Sequence, residues 1–333
     1  MSLYVVTGAA GFIGRSIAAA LLRDGATVRG LDNLSTGKRE NLVGLEAMQF
    51  IEGDLCDPHV ADAACHGATT VFHQAALASV PRSVADPLST NDANVNGTLQ
   101  LLIAAQRAKV KRVVYAGSSS AYGNGEVLPK HEEMLCSPES PYAVSKLAGE
   151  HYMQCFSRVY GLETVTLRYF NVFGPHQDPT SQYSGVLARF ILQMLRGETP
   201  TLYGDGEQSR DFTFIENVVK ANLLAARAPS AEVSGRVFNV AMGVRISLKE
   251  VVETLRELTG YRGEVLRAGE RQGDVKHSCA DISSAKRHLG YHPVVNFEEG
   301  LRRTVDWYRS QPMFASPGTS SLPEAKKLAA YVS

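Results

Sequence analysis

The sequence predicts an α/β fold: a doubly wound parallel sheet with helices on both faces, joined to a smaller α/β lobe. Three observations predict it. Apolar runs alternate with helical patterns through the first half of the chain, a glycine-rich turn follows the first run, and the second half loses this regular alternation. A length of 333 residues with 44% hydrophobic residues allows one large or two moderate domains.

Six short apolar runs are the predicted strands, near residues 3–7, 27–31, 48–52, 70–73, 112–116 and 163–168. Their continuous apolar character is typical of parallel strands that are covered on both faces. Ligands of such sheets bind beyond the carboxyl ends of the strands. The residues that follow these runs are therefore expected to share one cleft: Gly8, Asp32, Asp54, Ala75 and Ser118.

The turn after the first strand has the glycine spacing of a Rossmann-like dinucleotide site. Gly8 permits the tight turn, Gly11 lets the backbone approach a pyrophosphate, and Gly14 lets the helix pack closely on the strand. The amino terminus of that helix then faces the phosphates. Asp32 ends the second strand, where a carboxylate accepts hydrogen bonds from both ribose hydroxyls and favours NAD over its 2′-phosphorylated form.

Tyr142 and Lys146 stand four residues apart in a predicted helix and follow the serine run at 118–120. Positions i and i+4 lie on one face of a helix, so the ammonium is expected beside the phenol. A cation there lowers the tyrosine pKa from about 10 toward neutrality. The pair is thus predicted to remove a proton from a hydroxyl group.

With these motifs in place, the chain resembles the extended short-chain dehydrogenase/reductase family, in its nucleotide-sugar epimerase and dehydratase branch. The resemblance runs from the first strand to about Tyr308. Besides the glycine turn, the serine run and the Tyr142/Lys146 pair, it is carried by Gly53-Asp54-Leu55, His73-Gln74-Ala75-Ala76, Asn94-Val95-Asn96-Gly97-Thr98, Arg168 to Pro175 and Arg210-Asp211-Phe212.

The resemblance implies an NAD-binding Rossmann domain at 1–170, to which some later segments return, a UDP-sugar lobe at 171–312 and a tail at 313–333. The implied cofactor is NAD. Its implied contacts are Gly8, Gly11, Phe12, Ile13, Gly14, Asp32, Asn33, Asp54, Leu55, Gln74, Ala75, Ala76, Asn94, Tyr142, Lys146 and Tyr169.

For the substrate, the family resemblance implies that Arg210 and Arg271 bind the diphosphate of a UDP-sugar, as bidentate arginine side chains do. Asn171 would donate to a phosphoryl oxygen, Asp274 would accept from a ribose hydroxyl, and Tyr203 would lie by the uracil. The remaining implied substrate contacts are Ala78, Ser79, Ser119, Ser120 and Ser278.

The residues beside Ser118 decide which reaction the resemblance implies. Sugar-nucleotide dehydratases carry an Asp-Glu pair there, and the related decarboxylases carry a Glu, whereas this chain continues with Ser119-Ser120-Ala121. Without that carboxylate, oxidation at C4 and its reversal remain. The predicted catalytic residues of this 4-epimerase are Ser118, Tyr142 and Lys146.

Substrate choice in the resembled epimerases depends on the residue seven positions after the phosphate-binding arginine, which is Ser278 here. A small residue admits an N-acetyl group, so the expected substrates are UDP-GlcNAc and UDP-GalNAc. UDP-glucose/UDP-galactose and UDP-glucuronate remain alternatives. A regulatory NAD-binding protein without catalysis is the alternative from another functional class.

The formal net charge of zero argues against a general nucleic-acid or membrane-surface role. The chain opens directly into its first strand, with no signal segment and no apolar run of transmembrane length, which predicts a cytoplasmic protein. The five cysteines are expected to be reduced structural thiols, and no metal is expected. His73 is expected in the core. Helical patterns at Val95 to Ala108 and Tyr142 to Tyr160 predict a homodimer.

Overall fold

The computed structural model describes residues 2–178, 185–269, 276–311 and 314. In chain order the strands are β1 (Leu3–Thr7), β2 (Thr27–Asp32), β3 (Gln49–Glu52), β4 (Thr70–His73), β5 (Arg112–Ser118), β6 (Glu163–Tyr169), β7 (Val172–Phe173), β8 (Thr201–Tyr203), β9 (Ser209–Arg210), β10 (Thr213–Phe214), β11 (Arg236–Val240), β12 (Ile246–Ser247) and β13 (Leu266–Ala268).

The α-helices are α1 (Phe12–Arg23), α2 (Pro58–Cys65), α3 (Val80–Ala85), α4 (Pro87–Asn91), α5 (Gly97–Arg107), α6 (Pro141–Tyr160), α7 (Val186–Leu195), α8 (Ile215–Arg227), α9 (Ser230–Val233), α10 (Leu248–Thr259), α11 (Ser283–Leu289) and α12 (Phe297–Arg309). One π-helical turn, Asp92–Asn96, joins α4 to α5, and short 3-10 turns cover Arg39–Leu42 and Ser119–Tyr122.

The central sheet has seven parallel strands in the order β11-β6-β5-β4-β1-β2-β3. Val5 of β1 pairs with Arg29 of β2 on one side and with Val71 of β4 on the other, so the chain winds outward from β1 in both directions. All six predicted strands are present, and the predicted doubly wound sheet is confirmed. The order reverses at β1 and β4, where a sheet of this kind opens its ligand crevice.

Helices cover both faces of the sheet, which explains why the strands are apolar on both sides. Leu101 of α5 and Met153 of α6 belong to the buried cluster on one face. Ile17 of α1 and Val218 of α8 belong to the cluster on the other face, which continues into the second half of the chain. The strand ends are therefore held rigidly at the edge where the ligand crevice opens.

The smaller lobe is formed by two excursions of the chain, one after β6 and one after β11. Three two-stranded pairs organise it: β7 with β10, β8 with β13, and β9 with β12. Its core includes an aromatic cluster in which the Phe173 and Phe214 rings lie 5.6 Å apart and the Phe212 and Phe297 rings 5.5 Å apart. Helix α10 begins with a capping box between Ser247 and Glu250.

Helix α6 is the element that presents Tyr142 and Lys146. The Ser140 side chain accepts a hydrogen bond from the Ala143 N–H at its start, and Gly161 ends it in the left-handed conformation. Inside the protein, Glu150 binds Arg168 of β6 through two hydrogen bonds of 2.9 and 2.6 Å. Both side chains are only 3% exposed, so this ion pair ties α6 to the sheet in the dry interior.

Candidate active site

Two adjoining clefts of about 600 and 100 Å³ lie at the carboxyl edge of β1, β2 and β4. They share glycine-loop residues and form one channel along that edge. Twelve of the predicted cofactor contacts line it: Gly8, Gly11, Phe12, Ile13, Gly14, Asp32, Asn33, Asp54, Leu55, Gln74, Ala75 and Ala76.

The glycine turn is too tightly packed to accept side chains at its glycine positions. Gly8 has a φ of +66°, and a Cβ on Gly14 would lie 2.0 Å from the Gly8 carbonyl oxygen. Helix α1 begins immediately after Gly11, with no side chain capping its first N–H groups. Those donors and the positive end of the helix dipole are suited to a pyrophosphate, so the loop fits the phosphates of a dinucleotide.

Asp32 lies at the other end of this channel. Its two carboxylate oxygens accept hydrogen bonds from the N–H groups of Ala10, at 2.9 Å, and Leu34, at 2.8 Å. Burial raises the pKa of Asp32, and these two N–H donors offset part of that rise. Each oxygen keeps lone-pair capacity for a further donor, which suits the two ribose hydroxyls of NAD.

Tyr142 and Lys146 occupy the first turns of α6, as the spacing predicts. Burial raises the pKa of Tyr142, and the neighbouring Ser118 hydroxyl offsets part of the rise. Burial lowers the pKa of Lys146 to about 7. The expectation that the neighbouring lysine brings the tyrosine pKa toward neutrality therefore differs from the structure, because burial of Tyr142 opposes formation of the phenolate.

Ser118 ends β5 and begins the turn that follows it. Its Oγ accepts a hydrogen bond from the Ser120 N–H and lies 2.8 Å from the Ser120 Oγ. The predicted substrate residues Ser119 and Ser120 thus shape this turn, and neither they nor Ser118 are among the residues that line the three clefts of this site. Because the run consists of serines, it supplies hydroxyl groups and no carboxylate at the end of β5.

A third cleft, of about 400 Å³, lies between the sheet and the smaller lobe. Tyr142 lines it, together with the predicted substrate residues Ala78, Ser79, Asn171, Tyr203 and Arg210. It shares Ala78 and Gln177 with the larger cofactor cleft. The two ligand channels therefore meet at Ala78 and Gln177, and Tyr142 lines the substrate side.

Arg210 is held in place by the strand that carries it. Its guanidinium donates to the Ser209 carbonyl at 3.0 Å and to the Lys276 carbonyl at 3.3 Å. The next residue, Asp211, is fully buried and accepts N–H groups of Met242 and Ala280, at 2.9 and 3.1 Å. This explains why an acidic residue follows the arginine: it fixes three chain segments under the cleft.

Three predicted contacts lie behind the cleft walls. Asn94, in the π-helical turn, accepts the Leu77 N–H at 2.7 Å and donates to the Ser145 Oγ at 2.9 Å, so it braces α6 against the loop after β4. The Tyr169 hydroxyl is 2.8 Å from the Asn222 amide nitrogen, which donates to it.

Ser278 donates its N–H to the Ser209 carbonyl at 3.0 Å and is not among the residues lining the substrate cleft. Arg271 and Asp274 lie outside the described residues.

Several cleft residues carry no sequence motif that would have identified them. Arg189 of α7 lines the substrate cleft, and its Nε is buried without a hydrogen-bond partner among the residues that the structure describes. Lys38 pairs with Asp178 at 2.7 Å across the cofactor cleft, whose far wall includes Trp307 and Tyr308 of α12. These residues come from distant parts of the chain, so only the folded structure brings them together.

His73 is a fully buried core residue, as expected. Its two ring nitrogens lie 2.8 Å from the hydroxyls of Thr7 and Thr98. All five cysteines are free thiols. Within the described ranges, no group of three His, Cys, Asp or Glu side chains is arranged to hold a metal ion, and no helix there is long and apolar enough to cross a bilayer.

Comparison with known proteins agrees with this geometry. The model of the NAD dependent epimerase/dehydratase family matches residues 4–241. UDP-glucose 4-epimerase of Mycolicibacterium smegmatis is 38% identical over 312 residues, which cover 92% of this chain and 98% of that protein.

Two solved structures are similar over 93% of this chain. UDP-N-acetylglucosamine 4-epimerase of Methanobrevibacter ruminantium, in complex with UDP-N-acetylmuramic acid, has a TM-score of 0.88, 42% identity and 98% of its own chain covered. UDP-glucose 4-epimerase of Thermus thermophilus, in complex with NAD, has a TM-score of 0.84, 38% identity and 99% covered.

Proposed function

The chain belongs to the NAD-dependent epimerase/dehydratase family, as an NAD-dependent enzyme acting on UDP-sugars, and we propose from this premise that it is a UDP-N-acetylhexosamine 4-epimerase interconverting UDP-GlcNAc and UDP-GalNAc. The observation that carries the proposal is that the substrate cleft, which Tyr142 lines, joins the cofactor cleft through the shared residues Ala78 and Gln177. A sugar in the first cleft would adjoin this phenol, and a nicotinamide could reach it from the second.

The chain's own residues supply proton transfer and orientation. NAD⁺, when bound, provides a hydride acceptor for C4 and a positive charge close to the phenol. The Tyr142 phenolate, which Lys146 stabilises, takes the proton of the sugar 4-hydroxyl and becomes a neutral phenol. Ser118 donates a hydrogen bond to the same sugar oxygen.

Epimerisation also requires the 4-keto sugar to turn over while its nucleotide stays bound. The cationic side chains that line the described part of the substrate cleft, Arg189 and Arg210, are suited to the nucleotide and diphosphate. Small or uncharged side chains near Tyr142 bind the hexose weakly: Ala78, Ser79, Asn171 and Gln177. Such unequal contacts permit rotation about the diphosphate link, since uniformly tight sugar contacts would block it.

The uncharged walls of the substrate cleft also affect which UDP-sugar fits. A uronate carboxylate needs a cation or several donors to offset its desolvation. Ala78 and Ser79 instead leave space and one hydroxyl, which suits a neutral hexose with a bulky 2-substituent. UDP-glucose and UDP-galactose remain the second candidate, favoured by the Mycolicibacterium smegmatis relative.

The test is a panel of UDP-hexoses incubated with the purified protein without added reductant. We expect UDP-GlcNAc and UDP-GalNAc to interconvert, with kcat/KM above that for UDP-glucose and UDP-galactose. Faster turnover of the non-acetylated pair or of UDP-glucuronate overturns the acetylated preference and leaves the 4-epimerase intact. No epimerisation of any UDP-hexose overturns the function itself.

Ser278→Tyr is predicted to discriminate between the two substrate pairs. Ser278 itself does not line the cleft, but we expect the longer tyrosine side chain to extend into the space that the N-acetyl group needs, so kcat/KM for UDP-GlcNAc should fall about 100-fold, while UDP-glucose changes by less than about threefold. Steady-state kinetics on both substrates measures this, with Ser278→Ala as the control that keeps the site small. Equal losses on both substrates would contradict a gate at this position.

The proposed enzyme is a homodimer, and exposed apolar side chains support this part of the proposal. Val84 of α3, Leu88 of α4 and Val144 of α6 are 66%, 78% and 52% exposed on helices that pack together. A second copy of the same surface would cover them. The exposed apolar side chains that support the dimer lie on α3, α4 and α6, while the part of α5 in the interface stays a prediction. The cytoplasmic location stays a prediction.

Leu88→Glu should convert the dimer to a monomer, because a carboxylate would be buried at the twofold contact. Light scattering coupled to gel filtration gives the mass directly. Val127, 64% exposed in the loop before Lys130, offers the matched control. Val127→Glu should leave the dimer intact, and a wild-type chain that is monomeric at micromolar concentration refutes the proposal.

A further inference from the structure

The ammonium of Lys146 has an aromatic ring as its neighbour. Its Nζ lies 4.7 Å from the centroid of Tyr115, and the lysine is only 4% exposed. In the part of the chain that the structure describes, no oxygen accepts a hydrogen bond from this ammonium and no carboxylate pairs with it. A buried cation without such partners loses its solvation and favours its neutral form.

Tyr115 is fixed in this position from several sides. It is fully buried on β5, three residues before Ser118, and its hydroxyl donates to the Lys146 carbonyl at 3.3 Å. Gly149 leaves the space for that hydroxyl, since a Cβ there would lie 2.3 Å from it. The His73 ring lies 5.5 Å from the Tyr115 ring on the side of β4.

We propose that Tyr115 is a positioning residue for the reaction: the face of its ring keeps the Lys146 side chain charged and directed toward Tyr142. The negative face of an aromatic ring attracts a cation, most strongly where water is excluded. This inference rests on the proposed function, because it assigns to Lys146 the stabilisation of the Tyr142 phenolate. Tyr115 acts through the lysine.

The surrounding charges do not substitute for the ring. Glu150, one turn beyond Lys146, is bound to Arg168. Burial lowers the pKa of His73 to about 3, and the Lys146 charge adds to the effect, so this ring is neutral near pH 7. On α6 itself, Tyr142 and Glu150 lie one turn from Lys146. The titratable or charged groups on the elements packed against α6 are Arg82, Asp92, Arg107, Arg112, Tyr115, Tyr122, Glu163, Arg168 and Tyr169, and His73 contacts the Tyr115 ring.

The charge on Lys146 makes kcat depend on pH in a defined direction. The active enzyme needs the ammonium, so kcat falls as pH rises through the pKa of Lys146. Burial lowers that pKa to about 7, and the ring opposes this fall. Tyr115→Leu removes the ring, so the alkaline limb of the kcat profile should move down by about one pH unit.

Three variants test it. Tyr115→Leu should lower kcat about tenfold at neutral pH and leave KM for the UDP-sugar unchanged. Tyr115→Phe keeps the ring and should retain the wild-type profile. Tyr291→Leu is the matched control, because Tyr291 is also fully buried and bonds Ala241 through its hydroxyl. It makes a comparable cavity and should leave the alkaline limb in place.

Titration of ¹³Cε-labelled lysine by NMR, with the Lys146 signal assigned from Lys146→Arg, provides a readout that does not depend on turnover. The Lys146 pKa should fall in Tyr115→Leu and stay in Tyr115→Phe and Tyr291→Leu. The inference fails if Tyr115→Leu leaves this pKa unchanged, or if Tyr291→Leu shifts it equally. A wild-type protein that epimerises no UDP-hexose refutes the proposed function instead, while the lysine titration still reports on the ring.

Discussion

Tyr142→Phe should lower kcat by about 10³-fold, within the range for loss of a general base. The substitution removes one oxygen and keeps the ring, so the first turn of α6 and the walls of the substrate cleft should stay as they are. KM for the UDP-sugar should therefore change little, and kcat and kcat/KM should fall together. Steady-state epimerisation assays at saturating substrate measure the loss.

Tyr152→Phe is the matched control for this experiment. It makes the same chemical change on the same helix, where Tyr152 packs against the α5 side of the sheet. Its kcat should equal that of the wild type. If Tyr142→Phe also turned over at the wild-type rate, Tyr142 would not be the base, and the reaction would need another proton acceptor at the junction of the clefts.

Glu150→Gln should destabilise the fold by about 3–5 kcal/mol, because it leaves the Arg168 guanidinium buried without its counter-charge. The two side chains are each 3% exposed, and the Arg168 Nη1 already has no hydrogen-bond partner. The remaining amide cannot neutralise the cation. Urea unfolding followed by circular dichroism gives the free energy of unfolding of each variant.

Glu299→Gln on α12 controls for loss of a carboxylate that binds arginine. Glu299 pairs with Arg302 and Arg303 at the surface, where ion pairs contribute about 0–1 kcal/mol. A loss from Glu150→Gln no larger than that from Glu299→Gln would show that the Arg168 site is well solvated. The double variant Glu150→Met with Arg168→Met should recover part of the stability lost in Glu150→Gln, because it removes both buried charges.

Much of the sheet was predictable because its signals are local. Continuous apolar runs such as Leu3 to Val6 predict strands buried on both faces, and the Gly8, Gly11 and Gly14 spacing marks the one turn that a helix must follow closely. Since parallel strands end at one edge, the order of motifs along the chain also predicts which residues line the cofactor channel. These parts depend on backbone geometry, which the sequence encodes within short windows.

The rest of the site depends on packing between distant segments. Arg189, Lys38 and Trp307 line the clefts because the lobe folds back over the sheet, and no local pattern records that approach. The Tyr142 pKa is a further case, since the i and i+4 spacing predicts proximity to a lysine and says nothing of how far both groups are buried. How much solvation each group loses depends on the packing of the whole folded interior.

The two excursions that build the smaller lobe both start from the carboxyl ends of neighbouring strands, β6 and β11, at one border of the sheet. Chain inserted at these points lengthens a loop and breaks no inter-strand ladder. Mutations in the excursions can thus reshape the lobe side of the substrate cleft while the hydrogen-bonded ladders of the sheet stay intact. The glycine turn follows β1 and Asp32 ends β2, so evolutionary change in the lobe need not disturb them.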